Sequence, residues 1–261
     1  MCSSDLYRLN SSARPAEFVE GLAKRFTLVL FDNRGTGLSD KPTSGYALSN
    51  MADDVLGLMD CLGIARSNVL GYSMGGAIAQ ELVCRHPNRV SSLVLFATLC
   101  GGTRAAYADA SVMRVMHNLE GLTPAQVARR IWVVTYEPNY LAENRDKIER
   151  QMQLEIASPT PLHAADLQFQ ALVDFDSSTA LPGVRAPTLV VTGDRDRLIP
   201  PRNSEVIADL IPGAQLIVLR GRGHRAIWEA PARCTALVAD FLENREDFAR
   251  AAKAISTRMA L

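Results

Sequence analysis

The chain lacks an excess of either charge: 28 Lys and Arg balance 28 Asp and Glu among its 261 residues. Nothing in that balance attracts a polyanion, which argues against nucleic acid or an anionic membrane as partner. No apolar run approaches the roughly 18 residues needed to span a bilayer. The start, Met1-Cys2-Ser3-Ser4-Asp5-Leu6, has neither the basic nor the apolar region of a secretory signal. Cysteine is sparse and scattered, at Cys2, Cys61, Cys84, Cys100 and Cys234, with no C-x-x-C pair. An odd, scattered set without such a pair argues against a disulfide framework or a zinc site. Reduced thiols in a cytoplasmic protein, with no metal and no cofactor, are the expectation. Histidine is scarcer still, with four in the chain, so any base catalysis has few candidates.

What is present is a core. With 48% hydrophobic residues, the chain is long enough for one compact domain with an inserted part. Short runs rich in Val, Leu and Ile occur at Phe26–Phe31, Asn68–Gly71, Ser91–Phe96, Thr188–Thr192 and Gln215–Leu219. They show little polar alternation, as strands covered on both faces do. Helical patterns lie between them. Met51, Val55, Leu58, Met59 and Leu62 share one helix face, with Ser49 or Asn50 as start cap and Gly63 as stop. Further helices are expected from about Pro201 to Leu210 and from Ala226 to about Leu242. The alternation reads as an α/β fold, a mostly parallel doubly wound sheet with helices on both faces.

Residues 101–181 interrupt the rhythm with helix formers, including Ala125–Trp132 and Asn144–Ile156, and no strand pattern. They read as a helical cap inserted into a core of residues 1–100 and 182–244. Residues 245–261 read as a charged, Ala-rich C-terminal extension. A cap over the carboxyl ends of the strands would sit where open α/β sheets place their sites.

The chemistry centres on Gly71-Tyr72-Ser73-Met74-Gly75. A strand, a sharp turn and a helix there would expose the Ser73 hydroxyl in a strained conformation, and glycines would relieve the crowding. The Met74 N–H would lie at a helix N-terminus, where negative charge is favoured. A nucleophilic serine needs a base, and the base needs an orienting acid. His86 precedes Pro87 at a helix stop and reads as structural, while His117 and His163 fall in the cap and read as surface groups. His224 follows the run Gln215–Leu219 inside Gly221-Arg222-Gly223-His224, so a turn displays it at a strand's carboxyl end. The acid belongs on a similar loop. Asp194 and Asp196, after Thr188–Thr192, both fit, with Asp194 placed to cap the turn; Asp174 and Asp176 rank below them.

With these segments in the order Ser, Asp, His, the chain resembles the α/β-hydrolase superfamily from about Ala16 to Leu242. Four motifs carry the resemblance. Phe31–Asp40 is similar to the family's D-x-R-G-x-G-x-S turn, Gly71–Gly76 to its nucleophile elbow, Gly193–Pro200 to its G-x-x-D-x-x-x-P acid loop, and Gly223-His224 to its histidine loop. The acid-loop pattern assigns the acid to Asp196, and the Arg34 turn is architectural. The resemblance implies Ser73 as nucleophile, His224 as general base, Asp196 as its orienting acid and the Met74 N–H as oxyanion donor. Hydrolysis of a small or medium apolar ester or lactone is implied. The same triad in this superfamily also serves C–C bond hydrolysis and cofactor-free peroxidation, and a ligand-binding protein or fragment without turnover is the reading of another class. Trp132, Leu198, Ile199 and Ile227 are candidates for the pocket lining against a plainer role as core. Oligomeric state is left open.

The start departs from the family. Three strands and an H-G loop, which supplies a second oxyanion N–H, normally precede the segment matching Ala16–Arg25, and nothing here matches them. Phe26–Phe31 aligns with the family's fourth strand, and Met1–Leu6 resembles no strand of the fold. The expectation is an N-terminally truncated chain with a hole beside Val69–Leu70 and one oxyanion donor missing.

Overall fold

A computed structural model describes residues 2–4, 15–117, 119, 121–157 and 160–244. Its centre is a five-stranded parallel sheet of β1 (Cys2–Ser4), β2 (Ser67–Ser73), β3 (Val90–Phe96), β4 (Thr188–Gly193) and β5 (Gln215–Leu219) in that spatial order. The strands from β2 to β5 lie where the apolar runs place them. Alternate residues feed opposite faces. Val69, Leu93, Leu95 and Val190 join one core. Leu70, Val94, Phe96, Leu189 and Val191 join the other.

Helices cover both faces. On the first lie α2 (Leu48–Cys61), α3 (Met74–Arg85) and α9 (Arg202–Leu210). On the second lie α1 (Ala16–Ala23), α10 (Ala226–Glu229) and α11 (Pro231–Glu243). The helix expected from Ala226 to Leu242 is therefore two. Ala230 leaves the helical region at φ −141°, and Pro231 opens the next helix without the N–H it would otherwise lack a partner for. In α2 the helix begins one residue before Ser49, so Ala47 stands at the cap position and no side chain caps it. Neither Ser49 nor Asn50 fills the expected role.

The insertion is helical, as expected. It contains α4 (Ala110–His117), α5 (Pro124–Thr135), α6 (Pro138–Glu143), α7 (Arg145–Ala157) and α8 (Leu162–Val173). Thr123 and Gln126 form a reciprocal capping box at the start of α5. The two ends of the insertion meet: Gly101 bridges Asp176, and the Ser177 N–H donates to the Cys100 carbonyl at 2.8 Å. Gln80 of α3 joins the same place, donating to the Leu99 carbonyl and accepting from the Ser177 hydroxyl. Elbow helix and cap roots therefore share one buried polar network.

The N-terminal part corrects two expectations. Cys2–Ser4 is a strand after all, running parallel to β2 with Cys2 opposite Gly71 and Ser4 opposite Ser73. Phe26–Phe31, expected as a strand, is not one; a single bridge residue stands at Phe31. Apolar composition makes a segment fit for a sheet, but a strand exists only where a neighbour supplies the ladder. Here the neighbouring strand β1 opposes only Gly71–Ser73. Below it, a cavity of about 360 Å³ separates Thr27–Val29 from Ser67–Leu70. A smaller one of about 50 Å³ lies between Val29, Phe31 and Val69 toward α2. This is the hole expected beside Val69–Leu70. Residues 5–14, after β1, and 245–261, read as the C-terminal extension, lie outside the described residues. No helix among the described residues is long and apolar enough to cross a membrane.

Candidate active site

Ser73 ends β2 and Met74 begins α3, so the chain reverses within one peptide unit. Ser73 takes φ 54° and ψ −125°, a region that L-residues avoid, which costs on the order of 1–3 kcal/mol and must be enforced from outside. Gly71 is part of that enforcement. A Cβ on it would lie 2.2 Å from the Gly75 carbonyl oxygen and 2.7 Å from the Gly76 Cα. Both obstacles are backbone, so no rotamer change relieves them. Gly71→Ala should lower stability by at least about 3 kcal/mol, at the upper end for overpacking. A urea melt with an unchanged midpoint would refute this.

Met74 is the first residue of α3, among the four N–H groups that a helix leaves without intrahelical partners. The helix dipole favours negative charge at this end. The Met74 side chain is fully buried and anchors the helix start.

The histidine loop reaches the serine from β5. His224 Nε2 is 3.2 Å from Ser73 Oγ. On the other side of the ring, Nδ1 is 2.8 Å from Asp196 Oδ2. Both side chains are shut off from solvent, at 0% exposure. The second carboxylate oxygen of Asp196 accepts from the Leu198 N–H at 3.0 Å and the Ile199 N–H at 2.8 Å. The carboxylate is thus gripped from the acid loop while it faces the ring. In the tautomer that carries its proton on Nδ1 and donates to this carboxylate, Nε2 faces the Ser73 hydroxyl as an acceptor.

Of the two acids left open by spacing, Asp194 reaches past its own turn: its Oδ1 accepts at 2.7 Å from the Gly221 N–H, in the turn after β5. Asp174 accepts from Gln170, and Asp176 from the Ser178 N–H. His86 lies 3.7 Å from Asp53. His163 is 3.4 Å from the Lys41 carbonyl. The side chain of His117 lies outside the described residues. The Arg34 turn is architectural: its guanidinium grips Asp54 with two bonds of 2.6 Å and also binds the Gly45 carbonyl. Asp54 holds that guanidinium above its ordinary pKa.

The four pocket candidates lie in the packed interior. Trp132 and Ile227 belong to the core under the cap, Ile199 to the opposite core, and Leu198 is half-buried against it. Two groups escaped the sequence reading. Tyr72, one residue before the serine, donates from its hydroxyl to the His224 carbonyl at 3.2 Å, with its ring 5.1 Å from the imidazole. Glu229 buries its carboxylate behind the histidine loop. Burial pushes its pKa up, while the Glu137 and Gly223 N–H groups and Arg222 pull it back. An acidic residue directly after Ala226-Ile227-Trp228 was the available signal.

Comparison with known proteins identifies the fold that carries this geometry. The chain is 31% identical over 232 residues to a RutD protein of Caulobacter sp. (strain K31), named for carbamate hydrolysis, covering 86% of this chain and 83% of that one. The enol-lactonase of Burkholderia xenovorans LB400 superposes with TM-score 0.78 at 27% identity, covering 92% of this chain and 88% of the other. A thermophilic esterase from Thermogutta terrifontis superposes with TM-score 0.76 at 26% identity, over 92% and 87%. The sequence pattern of the alpha/beta hydrolase fold family matches residues 8–231. A parallel sheet, a strained serine at a strand-to-helix elbow and this match leave one assignment: the chain belongs to the α/β-hydrolase fold family.

Proposed function

We propose that the protein is a serine hydrolase that cleaves carboxylic esters or lactones of small or medium apolar acyl groups. The observation that carries the reading is the unbroken relay from Ser73 Oγ to His224 Nε2 and from Nδ1 to Asp196. In this mechanism Ser73 Oγ attacks the acyl carbon as its proton passes to His224 Nε2. The developing oxyanion is stabilised by the Met74 N–H. As the tetrahedral intermediate collapses, the C–O bond breaks and the alcohol leaves with the proton held on Nε2; in a lactone it stays tethered to the acyl group. Water then gives a proton to His224 and attacks the acyl-enzyme, which releases the acid and restores the Ser73 hydroxyl. Asp196 holds the ring in the required tautomer and stabilises the imidazolium. The partner is a small-molecule substrate, and the chemistry calls on no metal or cofactor.

The RutD relatives favour a second substrate class, a carbamate, whose nitrogen-bearing carbonyl can be attacked by the same serine. One experiment separates the outcomes. Incubation with a fluorophosphonate probe, followed by peptide mass spectrometry, should find the adduct on Ser73. Turnover of p-nitrophenyl esters, small lactones and an N-alkyl carbamate then ranks the substrate classes. No adduct on Ser73 would remove the nucleophile from the proposal.

A further inference from the structure

Glu229 makes a tie that the triad does not account for. Its Oε2 accepts from the Gly223 N–H at 2.9 Å, one residue before the base. Its Oε1 accepts from the Glu137 N–H at 2.8 Å, where α5 passes into α6 of the cap. One buried carboxylate therefore spans the histidine loop and the cap. Around it the two segments are in direct backbone contact. The Arg225 N–H donates to the Thr135 carbonyl at 3.0 Å, and the Tyr140 hydroxyl donates to the Trp228 carbonyl at 3.1 Å. The Arg225 guanidinium lies over the rings of Tyr136 and Trp228. A Cβ on Gly223 would stand 2.7 Å from the Glu137 nitrogen and 2.8 Å from the Thr135 carbonyl oxygen, so glycine is what lets the loop approach the cap.

We propose that Glu229 is a positioning residue for His224: by accepting from both N–H groups it fixes the depth of the histidine loop and makes the cap's position felt at the imidazole. Ser73 contacts His224 from the side of the sheet and Asp196 from the acid loop, and neither holds the backbone on the cap side. Glu229→Gln keeps the shape but sets an amide N–H₂ against one of the two backbone donors. That donor loses its bond, and the loop, still held by the Arg225 N–H and the Tyr72 hydroxyl, relaxes by the fraction of an ångström that proton transfer does not tolerate.

The inference rests on the Ser73–His224 reading, and its test separates the two. In the 261-residue chain, Glu229→Gln should label Ser73 with fluorophosphonate at least tenfold more slowly than the wild type. On a p-nitrophenyl ester the loss should fall on kcat, with KM changing less than about threefold. The imidazole Nδ1–H proton resonance of His224 should shift or broaden, which loss of packing elsewhere would not cause. A wild type that never labels defeats the nucleophile, while the imidazole resonance still decides the role of Glu229. If Glu229→Gln folds, labels at the wild-type rate and leaves that resonance unmoved, the proposal is overturned. If it does not fold, Glu137→Pro carries the test. Glu137 already has φ −65°, so proline suits the backbone angle; it breaks the cap-side tie outright, setting Cδ against the Glu229 carboxylate, and Glu137→Ala, which loses only the side-chain bond to the Tyr140 N–H, is its control. Unaltered labelling and resonance in that variant would equally overturn the coupling of cap to base.

Discussion

Ser73→Ala should lower ester turnover by about four to six powers of ten, while the far-ultraviolet circular dichroism and the melting temperature stay close to the wild type. The expectation follows from the isolation of the hydroxyl. On the proposed mechanism it is the nucleophile, 3.2 Å from His224 Nε2 at the start of α3, where the Met74 N–H would bind the oxyanion. What remains after its loss is water attack helped by the oxyanion donor and by binding. Such residual rates are small because general-base assistance to water alone lacks a covalent intermediate. Retention of more than about 1% of wild-type turnover would show that another group attacks the substrate.

The second large effect is expected at the acid. In Asp196→Asn the side-chain oxygen would stay with the Leu198 and Ile199 N–H groups, since only an acceptor satisfies those two donors. The amide nitrogen would then face His224 Nδ1. A donor at that point selects the imidazole tautomer with its proton on Nε2, which cannot take a proton from Ser73. A loss of about 10⁴ in kcat is the scale expected for a wrong tautomer in such a triad. The folded state should survive, because the replacement is isosteric. A loss below tenfold on a p-nitrophenyl ester would mean that the ring is oriented by Tyr72 and the cap contacts rather than by the carboxylate. The same substitution at Asp194, whose Oδ1 caps the Gly221 turn, should leave the pH–rate profile in place.

How much of this could be read in advance depends on distance along the chain. The elbow was legible because its parts are adjacent: glycine, serine and glycine define the turn within five residues. The four strands from Ser67 to Leu219 were legible because both faces are covered, which leaves continuous runs of Val, Leu and Ile. Phe26–Phe31 has the same composition and is not a strand, since the ladder it would need is not encoded in the segment itself. Cys2–Ser4, short and polar, carried no strand signal and, among the described residues, pairs along the edge that β2 offers. Spacing left Asp194 and Asp196 as alternatives because both stand in one loop; the choice depends on where a ring 28 residues further on comes to rest. Glu229 stood out only as an acid after an apolar run, and its role was hidden for a stronger reason. One of its two partners lies 92 residues earlier, in a different part of the fold. The break between α10 and α11 was in the sequence as Pro231, hidden by an apolar pattern that runs across it.

The dihedral angles of residue 73 set durability against activity. Glycine enters that corner of conformational space at little cost, and a serine does not. Ser73→Gly should therefore raise thermal resistance, by roughly 1 kcal/mol, in a chain that has lost its chemistry. A library screened only for survival on heating would drift toward glycine at this codon, and the sturdiest clones would be inert.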